Sequence, residues 1–231
     1  MMTSISLIGL STIIIFFTPM QKASALEQND KLWLGVDVQK PLSSNKKWLY
    51  LLYAQTRLIN QNHAWQTTLF EGGVGYVISP NQTLWLGYRW SGINPYNGFS
   101  EENRLWQQLS WRLKENNRYR IFSRTRLEES TLSTQSQLSY RLRQRVSLEL
   151  LANHIAKLFP LLYDEAFFQL NKTQYTSHQL FSQNRLFLGF KLYTQATTFW
   201  EIGYINQYQW HTPSSTQNQM NHIISFNYSF I

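Results

Sequence analysis

The stretch RYRIFSRTRLEES, residues 118–130, alternates between two kinds of side chain. Its even positions include Arg120, Arg124, Arg126 and Glu128, whereas the odd positions between them are mostly apolar. Successive side chains of a β-strand point to opposite faces of the sheet. The stretch therefore predicts a strand with one charged face and one mostly apolar face.

The same period of two recurs along the chain after residue 26, and it marks eleven candidate strands. These are 31–40, 47–58, 64–77, 82–91, 102–113, 118–129, 135–150, 158–171, 182–193, 197–208 and 220–231. Strands of soluble proteins average five or six residues, whereas membrane-spanning strands need about 9–11 because they cross the bilayer tilted. The pattern predicts an all-β protein, a transmembrane antiparallel up-and-down β-barrel.

The number of strands and the order of the links refine this prediction. Bacterial single-chain barrels have even strand numbers, so we expect ten to twelve strands and favour twelve, with an extra strand hidden in 135–171. Long polar links are predicted at 91–102, 171–179 and 211–219, and short ones at 79–82, 114–117 and 194–197. Long extracellular loops and short periplasmic turns alternate in the same way in outer-membrane barrels.

The N-terminus contains one apolar run of thirteen residues, from Ile5 to Phe17. A membrane-spanning helix needs about 20 residues, so this run is too short. Ala23 and Ala25 supply the small residues that a signal peptidase reads. We predict a signal peptide at 1–25, cleaved near Ala25, and a barrel domain at 26–231 in the bacterial outer membrane. An uncleaved membrane anchor is the alternative.

Arginine and lysine are distributed differently over the predicted strands. Eleven of the twelve arginines fall on the polar face of the predicted strands, and Lys191 is the only lysine that joins them. Arginine is preferred where space is confined and carboxylates are met by two parallel hydrogen bonds. The pattern predicts an arginine-rich lumen with a charge network formed by Arg57, Arg89, Arg104, Arg124, Arg126, Glu128, Arg141, Arg143, Glu149, Glu165, Arg185 and Glu201.

Several segments together resemble a family. The order WLYLLYAQTRL, VGYVISPNQTLWLGYRW, ENRLWQQL, RTRLEE, SYRLRQRV, YDEAFFQLN, QNRLFLGF and EIGYINQY is similar to a bacterial family of exported, barrel-like proteins of unknown function. The resemblance covers nearly all of the mature chain and implies an outer-membrane β-barrel, without a known activity. The ending NYSFI, with Phe226, Tyr228 and Phe230 at alternate positions, resembles the signal that the barrel-insertion machinery reads, except for the additional Ile231.

Three interpretations remain open, and the first is a barrel in one of two forms. A narrow anion-preferring channel would use the inward cations, because cationic rings favour the passage of anions; small anions and outer-membrane lipid would then be its partners. In a structural or binding barrel the same cations would pair with carboxylates, and their side chains would fill the interior.

The second is an outer-membrane lipid acylhydrolase, and the third is a periplasmic β-sandwich. The hydrolase would need a serine beside a histidine such as His154, but no catalytic constellation is readable. We expect no cofactor or metal, since ligand spacing is absent, and no nucleic acid, since the basic residues are predicted to be enclosed.

Overall fold

The computed structural model describes residues 26–59, 64–94, 98–151, 157–213 and 217–231, which form eleven strands. In chain order these are β1 (Glu27–Pro41), β2 (Trp48–Ile59), β3 (Ala64–Ser79), β4 (Gln82–Ile93), β5 (Ser100–Glu115), β6 (Tyr119–Leu132), β7 (Gln135–Leu150), β8 (Leu158–Gln169), β9 (Phe181–Gln195), β10 (Thr198–Gln209) and β11 (Gln219–Phe230). Each coincides with one candidate strand, so the all-β prediction is confirmed. The predicted signal peptide lies outside the described residues.

The sheet closes on itself with eleven strands. Each strand pairs antiparallel with the next along the chain, and β1 pairs with β11 in parallel over twelve residues, from Glu27↔Gln219 to Val38↔Phe230. The parallel pair provides hydrogen-bond partners for the backbone N–H and C=O groups that β1 and β11 would otherwise leave unpaired at the two edges of the sheet. One closed sheet replaces the two packed sheets of the β-sandwich interpretation, which is wrong.

The preference for twelve strands is not met in the described residues. Within 135–171, β7 and β8 pair directly with each other, from Arg141↔Gln169 to Glu149↔Leu161, which leaves no place for another strand between them. The even-number rule concerns the side of the membrane on which the termini lie. It does not limit hydrogen bonding, because first and last strands that run in the same direction also close a barrel.

The six predicted links lie at the two ends of the barrel. The loop end has the links 94–99, 170–180 and 210–218, together with the first residue of β1. The turn end has the short links 80–81, 116–118 and 196–197, together with the C-terminus. These six links lie at the ends where they were predicted, but length alone does not separate the two ends. The link 133–134, at the loop end, has two residues, whereas 42–47, at the turn end, has six.

Side chains alternate between an apolar outer wall and a mixed interior. On the outer wall Leu188, Leu86 and Leu52 are 65%, 61% and 57% exposed, whereas the interior rings of Phe167 and Phe187 are fully buried. Soluble proteins show the opposite arrangement. None of the described residues forms a helix long and apolar enough to cross a bilayer.

Two aromatic rings occupy the interior because glycines face them. A Cβ at Gly87 would lie 2.1 Å from Cζ2 of Trp106, and a Cβ at Gly203 would lie 2.5 Å from Cζ of Phe187. Both distances are far below van der Waals contact, so a side chain at either position would displace the ring. The glycines therefore allow large rings to fill a narrow barrel.

Candidate functional site

The charged interior is organised around Glu128 on β6. Its Oε2 accepts from Nη1 of Arg104 at 2.6 Å and from Nε and Nη2 of Arg141 at 2.8 and 2.6 Å. Its Oε1 accepts from Nη1 of Arg143 at 2.6 Å. Three guanidiniums thus surround one carboxylate that is 1% exposed. Four charge-assisted hydrogen bonds therefore fix the orientation of this carboxylate.

Two further carboxylates repeat the arrangement. Oε1 of Glu165 accepts from Nη2 of Arg143 at 2.8 Å and also from Arg124. Glu71 accepts from Nε of Arg89 at 2.7 Å and lies 3.0 Å from Nη1 of Arg126.

Arg143 therefore bridges Glu128 and Glu165. The bridge joins residues of β6, β7 and β8 into one network. Glu128, Glu165 and the arginines that contact them therefore form one continuous set of charge-assisted hydrogen bonds, which are the strong class in proteins.

Aromatic rings complete the packing of this network. The guanidinium carbon of Arg126 lies 4.0 Å from the ring centroid of Trp106, and that of Arg145 lies 3.5 Å from that of Tyr163. Arg143 and Arg185 are each 4.7 Å from the centroid of Phe167. Cations over ring faces at these distances are attracted by the ring quadrupole. Charged and aromatic side chains together fill the middle of the barrel.

The other predicted network residues lie inside the barrel with different partners. Glu149 accepts from Nζ of Lys191 at 2.9 Å, and Arg57 donates from Nε to Oε1 of Gln55 at 2.8 Å. Glu201 has no cation within 4.0 Å among the residues that the structure describes. The pattern missed Glu102, which accepts from Nη2 of Arg104 at 2.5 Å. Its even position in the same strand as Arg104 could have revealed it.

The predicted insertion signal lies on the outer wall at the turn end. The ring of Tyr228 is 4.6 Å from that of Trp200 and 4.8 Å from that of Phe230, centroid to centroid. The side chain of Phe226 shares their face of β11. Recognition by the insertion machinery stays a prediction.

A cavity of about 990 Å³ lies at the turn end of the barrel. Its lining includes Glu115, Arg120, Glu149, Lys157 and Tyr193. Glu149 also accepts a hydrogen bond from Lys191 inside the barrel. The inner end of the cavity is therefore in contact with the charged interior.

The opposite mouth is covered on one side by the link 170–180. The Tyr175 hydroxyl donates to the carbonyl oxygen of Ser130 at 2.8 Å, and burial raises the pKa of this phenol. Thr173 and Ser177 of the same link are buried. This link is therefore folded onto the ends of β6 and β7.

Three histidines of the described chain have partners that are not serines. His222 contacts the hydroxyl of Tyr204 at 2.5 Å on the outer wall, His178 contacts the carbonyl oxygen of Thr173, and His211 contacts Oδ1 of Asn218. His63 and His154 lie outside the described residues, so the acylhydrolase hypothesis is not tested at His154.

A family described as "Protein of unknown function (DUF2490)" matches residues 30–219 of the chain. An uncharacterized protein of Methylorubrum extorquens is 23% identical over 220 residues, or 94% of each chain. Among solved structures, the NanC porin aligns over 79% of this chain and 85% of its own, at 12% identity and a TM-score of 0.45. The siderophore receptor PirA from Pseudomonas aeruginosa aligns over 75% of this chain and 35% of its own, at 12% identity and a TM-score of 0.28. The family match extends from β1 to the first residue of β11.

Proposed function

The chain belongs to the DUF2490 family of proteins of unknown function, and we propose that it is an outer-membrane β-barrel whose interior is closed by arginine–carboxylate pairs. In this proposal it serves as a structural or binding barrel, and it does not conduct ions at rest. The observation that supports this function most strongly is the burial of Glu128 among three guanidiniums in the middle of the barrel.

The outer wall supports the membrane location. Leucines of this wall are exposed in the part of the chain that the structure describes, and acyl chains would remove them from water. The shortest strands have twelve residues. At a tilt of about 45°, such a strand rises about 28 Å, which is close to the thickness of a hydrocarbon core.

The packed interior supports a closed state. Trp106, Phe167 and Phe187 lie inside with almost no exposed surface, beside the network of Glu128 and Glu165. A permeating ion would have to displace these rings and break charge-assisted hydrogen bonds. Conduction would therefore need a rearrangement of the interior.

A second candidate is a narrow anion-preferring channel. It is favoured by interior cations that lack a carboxylate partner: Lys31, Arg57 and Arg145 have none within 4.0 Å among the described residues. Excess positive charge inside a barrel attracts anions and repels cations. The two candidates differ in whether the interior opens.

Membrane fractionation and conductance recording test both candidates. We expect the mature chain in the outer-membrane fraction, with heat-modifiable migration on a detergent gel and no conductance steps in a planar bilayer. Anion-selective steps would favour the channel. A monomer that is soluble without detergent would contradict both.

A further inference from the structure

Three cations lie near one another between the middle of the barrel and the loop end. The guanidinium carbons of Arg57 and Arg185 are 4.2 and 5.0 Å from the ring centroid of Trp33. Lys31, two residues before Trp33 on the same face of β1, interacts electrostatically with both guanidiniums. We call Lys31, Arg57 and Arg185 the cationic cluster. It is separated along the barrel from the 990 Å³ cavity at the turn end.

The cationic cluster has little negative charge to balance it. Arg185 is 3.7 Å from Oε2 of Glu165, but that carboxylate already accepts from Arg124 and Arg143. Arg57 and Lys31 have no carboxylate within 4.0 Å in the part of the chain that the structure describes. Half-buried cations without counter-charges are unfavourable. Glu27 interacts electrostatically with Lys31 from beyond 4.0 Å, so nearby carboxylates balance the three positive charges only in part. An additional anion would balance the rest.

The surrounding groups are donors and amides. The indole nitrogen Nε1 of Trp33 is buried and has no hydrogen-bond acceptor among the described residues. Gln55 accepts from Arg57, and an amide oxygen of either Gln183 or Gln207 faces the Arg185 guanidinium at 2.7 to 2.8 Å. Amide oxygens orient these guanidiniums but neutralise no charge. An unpaired indole N–H beside two guanidinium forks is suited to an oxyanion.

We propose that the cationic cluster is a binding site for a small oxyanion that carries a carboxylate or a phosphate group. Arg57 and Arg185 would hold two of its oxygens, Trp33 would donate from Nε1, and Lys31 would supply additional charge. The site rests on the proposed function in its binding form and names the chemical class of the ligand.

The test uses the folded mature barrel in detergent micelles, with inorganic phosphate and citrate as probes and chloride of equal ionic strength as reference. A ligand that binds only the folded state raises its unfolding temperature with concentration, which gives an apparent Kd. We expect stabilisation by at least one of the two probes, and the difference between them identifies the preferred group. Arg57→Gln and Arg185→Gln should each weaken binding at least tenfold.

Arg112→Gln is the matched control, because it removes the same charge at the turn end from a side chain that is 39% exposed. Its apparent Kd should stay within twofold of the wild-type value. Without oxyanions, Arg57→Gln should unfold at a higher temperature than wild type, because it relieves repulsion within the cationic cluster. A merely structural arginine would show the opposite sign.

The proposal is overturned if neither probe stabilises the wild-type barrel beyond chloride, or if Arg57→Gln and Arg185→Gln bind as wild type does. If either glutamine variant fails to fold, Lys31→Met removes the third charge with little change in length, and the same tenfold loss is required of it. Neither conductance nor membrane fractionation enters this measurement, so its failure is distinguishable from failure of the proposed function.

Discussion

Replacing Glu128 with glutamine isolates the charge at the centre of the network. Glutamine has nearly the same shape, but one oxygen becomes an NH2 group that faces guanidinium donors. At least one hydrogen bond to a charged donor is lost, worth about 1.5–3 kcal/mol, and the remaining ones become weaker. Arg104 retains Glu102 and Arg143 retains Glu165, whereas Arg141 has no other carboxylate within 4.0 Å among the described residues. We expect a loss of about 3–5 kcal/mol, as for other broken buried pairs.

Urea unfolding of the barrel in lipid vesicles, followed by tryptophan fluorescence, measures this loss. Glu115→Gln is the matched control, because Glu115 also accepts from two arginines, Arg112 and Arg120, yet its side chain is 32% exposed at the turn end. Exposed ion pairs contribute little to stability, so the control should unfold at the same urea concentration as wild type. A Glu128→Gln barrel as stable as wild type, or a Glu115→Gln barrel equally destabilised, would refute the network as the source of stability.

Two further substitutions and one control variant test the walls of the barrel. Gly87→Ala should prevent folding, because its Cβ would overlap the ring of Trp106. Gly72→Ala is the control and should fold normally, because the nearest atom to its Cβ, in Leu52, is 3.8 Å away. Heat-modifiable migration distinguishes the two, and a folded Gly87→Ala barrel would contradict the close contact between Gly87 and Trp106. Asp164→Leu should stabilise the barrel in lipid by about 1 kcal/mol, because Asp164 is exposed on the outer wall and a charge on the lipid face of a barrel is unfavourable. Urea unfolding checks the latter, and a loss of stability would show that Asp164 faces something other than acyl chains.

Strand positions could be predicted because the period of two is a local property. Each strand has one face in the interior and one on the outer wall, so alternation appears in any short window, as in residues 118–130. Alternation also marked the eleven strands that the structure contains, and only the even-number rule shifted the preference to twelve. How the barrel closes could not be obtained in this way. The parallel pair of β1 and β11 joins residues 192 positions apart, such as Glu27 and Gln219, and nothing local specifies it.

The partners within the network depend on register as well as alternation. Glu128 meets Arg141 because the two are directly paired across β6 and β7, and it meets Arg104 because β5 lies on its other side. Alternation predicts that these side chains share the interior but not which of them meet. Asp164 departs from the pattern: it lies within β8 on the outer wall, where its Oδ1 accepts from Asn184 at 2.7 Å. The pattern supplies no reason for its position.

Fluorescence quenching by brominated lipids tests most directly which side of the sheet meets the membrane. The sequence has no cysteine, so Leu188→Cys, Leu86→Cys and Arg112→Cys each provide one unique attachment point for an environment-sensitive dye. In vesicles whose acyl chains are brominated, we predict strong quenching at positions 188 and 86 and little at 112. Quenching at 112 without quenching at 188 and 86 would mean that the charged face, and not the leucine face, contacts lipid.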